Sequence, residues 1–155
     1  MESIHYRELC GCEFFMLTCG WFDDIRLLNN YREVIEMGES VVAAIKGWSW
    51  LENNYPLPEG MVARLNIVNE PILFDDGRVV NAFAEVTGAA EAEVTVYLGT
   101  RPLREIANCL AHEYRHCVQF LAENSRPNGL LDLRFEAVAC SFAAEVRKPL
   151  TKYIS

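Results

Sequence analysis

The chain has 155 residues, 51 % hydrophobic and 23 % charged, which fits about one domain of the soluble kind and excludes a disordered or collagen-like polymer. Its formal charge of −8 argues against nucleic acid as the main partner, because phosphate neutralisation needs clustered Lys and Arg. Apolar runs such as 137–144 fall far short of the ~20 residues that span a bilayer, and the first five residues lack the basic start of a secretory signal, so we expect a cytoplasmic chain with no membrane partner.

Phe22, Ile25, Leu28, Tyr31, Val34 and Ile35 recur at helical spacing and predict an amphipathic helix over 22–37. Gly38 suits its stop, Ser40 can cap a second helix to about Leu51, and Pro56 and Pro58 then break the chain. The middle reads as strand. Ala63, Leu65 and Ile67 alternate with Arg64, Asn66 and Val68. Ile72-Leu73-Phe74 and Arg78-Val79-Val80 flank Asp75-Asp76-Gly77, a hairpin signal, and Val94, Val96 and Leu98 give a strand with one polar face.

Helix then returns. Thr100 can cap, Pro102 suits a first turn, and Leu103, Ile106, Leu110, Cys117 and Leu121 form an apolar stripe that stops before Pro127 and Gly129. A last helix runs from about Asp132 to Arg147, where Pro149 closes it. The order predicts one α+β domain: a helical acidic part over 1–60, a small, mostly antiparallel sheet over 61–99, and a helix pair over 100–148. Residues 1–77 hold 13 acids against 5 bases, and 78–155 hold 9 against 9, so the whole imbalance lies in the N-terminal half.

Six cysteines without an export signal read as reduced, mostly buried thiols. Cys10-Gly-Cys12, with Cys19 and His5 nearby, suggests a second metal site, but Cys-x-Cys is not a usual structural zinc spacing. Trp21, Trp48 and Trp50 read as core or interface anchors.

His112-Glu113-Tyr114-Arg115-His116 carries the chemistry. Residues four apart on a helix share a face, with about 5–6 Å between Cβ atoms, so His112 and His116 can aim a ring nitrogen each at one zinc ion. Glu113, rotated by ~100°, cannot readily be a third ligand but can serve as general base to a water on the metal. Shuffling this composition gives the pattern in only about 0.4 % of chains, so composition does not explain it.

Catalytic zinc takes three protein ligands and keeps one position open. The downstream choices are Glu123, Asp132, Glu136, Glu145 and Cys140. Glu123 faces away along the same helix, and Asp132 suits a helix N-cap. Glu136 lies one turn into the last helix and is followed by small residues that let helices approach closely. A charge in such an apolar stripe costs free energy unless paired or metal-bound. Glu136 is the better choice and Cys140 the next.

His-Glu-x-x-His with Glu136-Ala137-Val138-Ala139 on the following helix resembles the gluzincin metallopeptidases, and the string from Glu136 to Ala143 is similar to minimal peptidases of the ImmA/IrrE type and related phage and mobile-element proteins. The similarity covers about residues 92–147. It implies a zincin-like fold with one zinc per chain on His112, His116 and Glu136, and Glu113 as base.

These readings predict a zinc metallopeptidase acting on a narrow protein or peptide substrate. Tyr97, Tyr114 and Arg134 are candidates to steady the oxyanion, and the stretch 92–98 could bind substrate as an edge strand. The alternative is a non-catalytic, zinc-stabilised binding module whose acidic N-terminal half docks a partner.

Overall fold

The computed structural model describes residues 31–128 and 132–155, with side chains from residue 38 onward. They form an α+β arrangement of three helices, a three-stranded mixed sheet and a two-stranded hairpin. The readings on His5, Cys10, Cys12, Cys19, Trp21, Gly129 and the start of the first helix lie outside the described residues.

The first described helix, α1 (Tyr31–Asn54), runs unbroken through Gly38, where a stop and a second start were expected. Val41, Ala44, Trp48 and Leu51, all beyond Gly38, fall on one helical stripe and are all buried, which anchors the helix against the core directly after the glycine. Trp48 is a core anchor, its indole donating to the Ala63 carbonyl at 3.3 Å. The helix does end where Pro56 requires: Tyr55 N–H bonds the Leu51 carbonyl, and the Asn54 amide donates to the Trp50 carbonyl at 2.8 Å.

β1 (Val62–Val68) follows, then the expected hairpin of β2 (Ile72–Leu73) and β3 (Val79–Val80). Its turn uses Gly77 at φ 86°, a conformation that side chains disfavour, and Asp76 accepts from the Arg78 amide and guanidinium. β4 (Ala82–Gly88) had no counterpart in the sequence reading, because alanines at the buried positions 82 and 84 give no strand-like hydrophobic signal.

β5 (Glu91–Tyr97) is where a strand was expected, but it is not an edge. The order is β1-β5-β4, with β5 parallel to β1 and antiparallel to β4, so the sheet is mixed rather than mostly antiparallel. Both flanks of β5 are hydrogen-bonded, which leaves it no row of free backbone groups for strand addition. Burial of Val94, Thr95 and Val96 in succession marks the central strand.

α2 (Leu103–Leu121) starts on Pro102, not Thr100, as N-cap, with no side-chain cap bond. α3 (Leu133–Ile154) starts on Asp132 as expected, whose carboxylate accepts from the Arg134 and Phe135 amides. Hydrogen bonds from the Asn128 and Phe135 amides hold the Asp132 carboxyl below its ordinary value. α3 continues through Pro149 to Ile154, past its expected end at Arg147. Leu150 and Ile154 beyond the proline are buried, and the Thr151 hydroxyl donates to the Arg147 carbonyl at 2.6 Å, so packing and a local bond carry the helix over the break. α2 and α3 pack along each other, α1 contacts both, and α2 covers β4 and β5. No helix among the described residues is long and apolar enough to cross a membrane.

Two glycines of α1 should respond oppositely. A methyl at Gly38 meets nothing within 4 Å, whereas one at Gly47 comes within 3.1 Å of Leu110 Cδ1 and 3.3 Å of Ile154 Cγ2. Gly38→Ala is expected to raise stability by about 0.5–1 kcal/mol. Gly47→Val should lower it by about 1–3 kcal/mol. Urea unfolding checks both, and destabilisation by Gly38→Ala would restore the helix stop to that position.

Candidate metal centre

α2 and α3 face each other across one cluster of polar side chains. His112 and His116, one turn apart on α2, turn both Nε2 atoms toward Glu136 in the first turn of α3. His112 Nε2 lies 2.6 Å from Glu136 Oε1, His116 Nε2 lies 3.2 Å from Oε2, and the two Nε2 atoms are 3.1 Å apart. The three residues are 1 %, 1 % and 0 % exposed, so these groups meet out of contact with water.

Local packing explains the convergence. Glu136, Ala139, Ala143, Val146 and Leu150 repeat at helical spacing along the buried stripe of α3, and the two alanines after Glu136 leave room for α2. His116 stacks flat on Phe135, with ring centroids 4.8 Å apart and 7° between planes. The two imidazoles meet edge to face at 4.7 Å.

Two further residues stand behind the imidazoles. Gln119, 2 % exposed, places Oε1 2.7 Å from His116 Nδ1 and donates from Nε2 to the Phe135 carbonyl at 2.9 Å. Cys140 Sγ lies 3.8 Å from His112 Nδ1. Gln119 was not anticipated, although its place three residues after His116, on the same side of the helix, was a usable signal.

The electrostatics are one-sided. Burial pushes the Glu136 carboxyl up, but the two imidazoles oppose it and hold the group below its ordinary value. Neither Glu136 oxygen has a well-directed hydrogen bond, despite full burial and the short approaches to nitrogen. Two ring nitrogens and two carboxylate oxygens thus converge where directed donors do not satisfy the acceptors. A metal ion fits such a donor set. Donors on a tetrahedral ion bound at 2.0–2.1 Å stand roughly 3.3 Å apart, close to the 3.1 Å between the two Nε2 atoms and the 3.2 Å from His116 Nε2 to Glu136 Oε2, whereas His112 approaches the other oxygen, Oε1, more closely at 2.6 Å. His112, Glu136 and Cys140 also form a group that could hold a metal ion, with ligand atoms within 4.8 Å of one another.

The other candidate ligands are accounted for otherwise. Glu123 is exposed and pairs with Arg115 at 2.5 Å, Asp132 caps α3, and Glu145 is exposed. Glu113 is buried at 2 % exposure; after burial itself, its charge is the next cause that lifts the Cys117 thiol above its ordinary range.

Of the three oxyanion candidates, Tyr114 is a correction. Its hydroxyl donates to the Tyr55 carbonyl at 2.6 Å, and its ring meets Trp48 edge to face at 5.2 Å, so it ties α2 to the end of α1. Tyr97 lines a cavity of about 620 Å³ at the C-terminal ends of β1 and β5, which none of the convergent residues reaches. Arg134 is exposed and, with Gln119, Glu123, Asp132 and Phe135, lines a surface groove of about 590 Å³. That groove touches the back of the centre through Gln119 and Phe135. Of the two, it is the nearer to the convergent residues.

Comparison with protein-family models, with curated proteins and with solved structures finds no match to this chain.

Tyr114→Phe separates structure from chemistry in this helix. Loss of the hydroxyl bond should lower stability by about 0.5–1.5 kcal/mol in urea unfolding. The bound-metal stoichiometry should equal that of wild type, since the hydroxyl faces the Tyr55 carbonyl.

Proposed function

We infer that the chain is a zinc-dependent metallopeptidase of gluzincin type, with a zincin-like fold and a narrow protein or peptide substrate. One observation carries the reading: the buried Glu136 carboxylate, without a well-directed hydrogen bond, lies between two imidazole Nε2 atoms at 2.6 and 3.2 Å. His112, His116 and Glu136 would hold the ion. Zinc, when bound, supplies a Lewis acid that polarises a carbonyl and acidifies water.

This chain's own groups do the rest. Glu113, next to His112, is the general base, taking a proton from the attacking water and returning it to the leaving amine. The stacking of His116 on Phe135 fixes the ligand ring.

A second reading is favoured by burial. His112, Glu113, His116 and Glu136 are all at most 2 % exposed, as befits a closed structural centre. The chain would then be a zinc-stabilised binding module whose acidic N-terminal half docks a partner.

Metal analysis of the purified chain tests the common premise. One zinc per chain is expected, lost in Glu136→Ala and His116→Ala and kept in Cys140→Ser. Loss in Cys140→Ser with retention in His116→Ala would move the ion to the His112–Glu136–Cys140 group. No zinc in wild type purified without chelators would remove both readings. Glu113→Gln should keep the zinc and abolish cleavage of a peptide library; a wild type that also cleaves nothing leaves the binding module.

A further inference from the structure

Resting on the zinc reading for its functional meaning, but not for its geometry, a second assignment concerns which nitrogen of His116 carries the proton. We propose that Gln119 is a positioning residue that locks His116 as the Nδ1–H tautomer and so presents a bare Nε2 lone pair to the centre. A backbone carbonyl can only accept, so the Phe135 oxygen, 2.9 Å from Gln119 Nε2, fixes that atom as the amide's donor end. The other end, Oε1, is then an acceptor, and it faces His116 Nδ1 at 2.7 Å. Nδ1 must supply the proton. In the neutral ring that leaves Nε2 unprotonated, 3.1 Å from His112 Nε2 and 3.2 Å from Glu136 Oε2.

Turning the amide over fails on the same ground, since it sets two acceptors, Oε1 and the Phe135 oxygen, against each other at 2.9 Å in a buried place. Gln119 is 2 % exposed, so water does not substitute for either bond. One side chain therefore serves two ligands. It sets the proton on His116 and also ties α2 to the carbonyl just before Glu136, holding that carboxylate at its distance from the imidazoles. Partners of this kind orient metal-binding histidines, and their loss typically costs roughly 10–100-fold in affinity.

The test begins on the metal-free full-length chain, by long-range proton–nitrogen correlation spectroscopy of the imidazoles. The chain has three histidines, so single substitutions assign the signals. Wild type should show His116 protonated at Nδ1 and bare at Nε2. Protonation at Nε2, whether in the neutral ring or in an imidazolium facing Glu136, would overturn the proposal, whatever the metal content. Gln119→Met, close in size but without donor or acceptor, should shift His116 toward the Nε2–H form and weaken zinc binding roughly 10–100-fold. Retention of the Nδ1–H form in Gln119→Met would also overturn the proposal. An Nδ1–H form in a wild type that takes up no zinc would instead uphold the proton assignment and sink the zinc reading.

Discussion

A carboxylate removed from water needs compensation on the spot, and Glu136 is that constraint in this protein. Its side chain is fully buried between two helices, and the counterparts within reach are the two imidazoles of the facing helix. Much of the surrounding sequence serves this arrangement. Ala139 and Ala143 let α3 approach, Phe135 lies flat on one imidazole, and Asp132 starts α3 so that Glu136 falls in its first turn. The sheet behind α2 uses alanines at 82, 84 and 92, where larger side chains would push the helix outward.

The site was more legible than the topology, and for a physical reason. Two histidines four apart are a property of one helix, so spacing alone brings their nitrogens together. The buried carboxylate was legible from the small residues after it. Gln119 was not, because a glutamine on a helix has many solvated uses, and only the position of the Phe135 carbonyl shows which one operates here. Strand order is likewise not local. The alternation in 92–98 locates a strand, but its central place depends on β4, whose alanines carry little signal of their own.

Gly38 and Pro149 show how local punctuation is overridden. Both are ordinary helix breakers, and both lie inside helices here: Val41 and Ala44 are buried after the glycine, and Val146, Leu150 and Ile154 are buried on the two sides of the proline. A helix interior loses about 1 kcal/mol to a glycine and ~3 kcal/mol or more to a proline, whereas burying one large aliphatic side chain contributes about 1.5–3 kcal/mol. Several such side chains outweigh one breaker.

The parallel pairing of β1 with β5 has an entropic consequence. The two strands can join only after all of residues 69–90, hairpin and β4 included, has been looped between them. The helices that carry the imidazoles and the carboxylate are neighbours along the chain and meet across a short connection. The β1–β5 ladder therefore closes a loop about twice as long as the one between the two helices, and carries the larger entropic cost of contact, by roughly 0.6 kcal/mol.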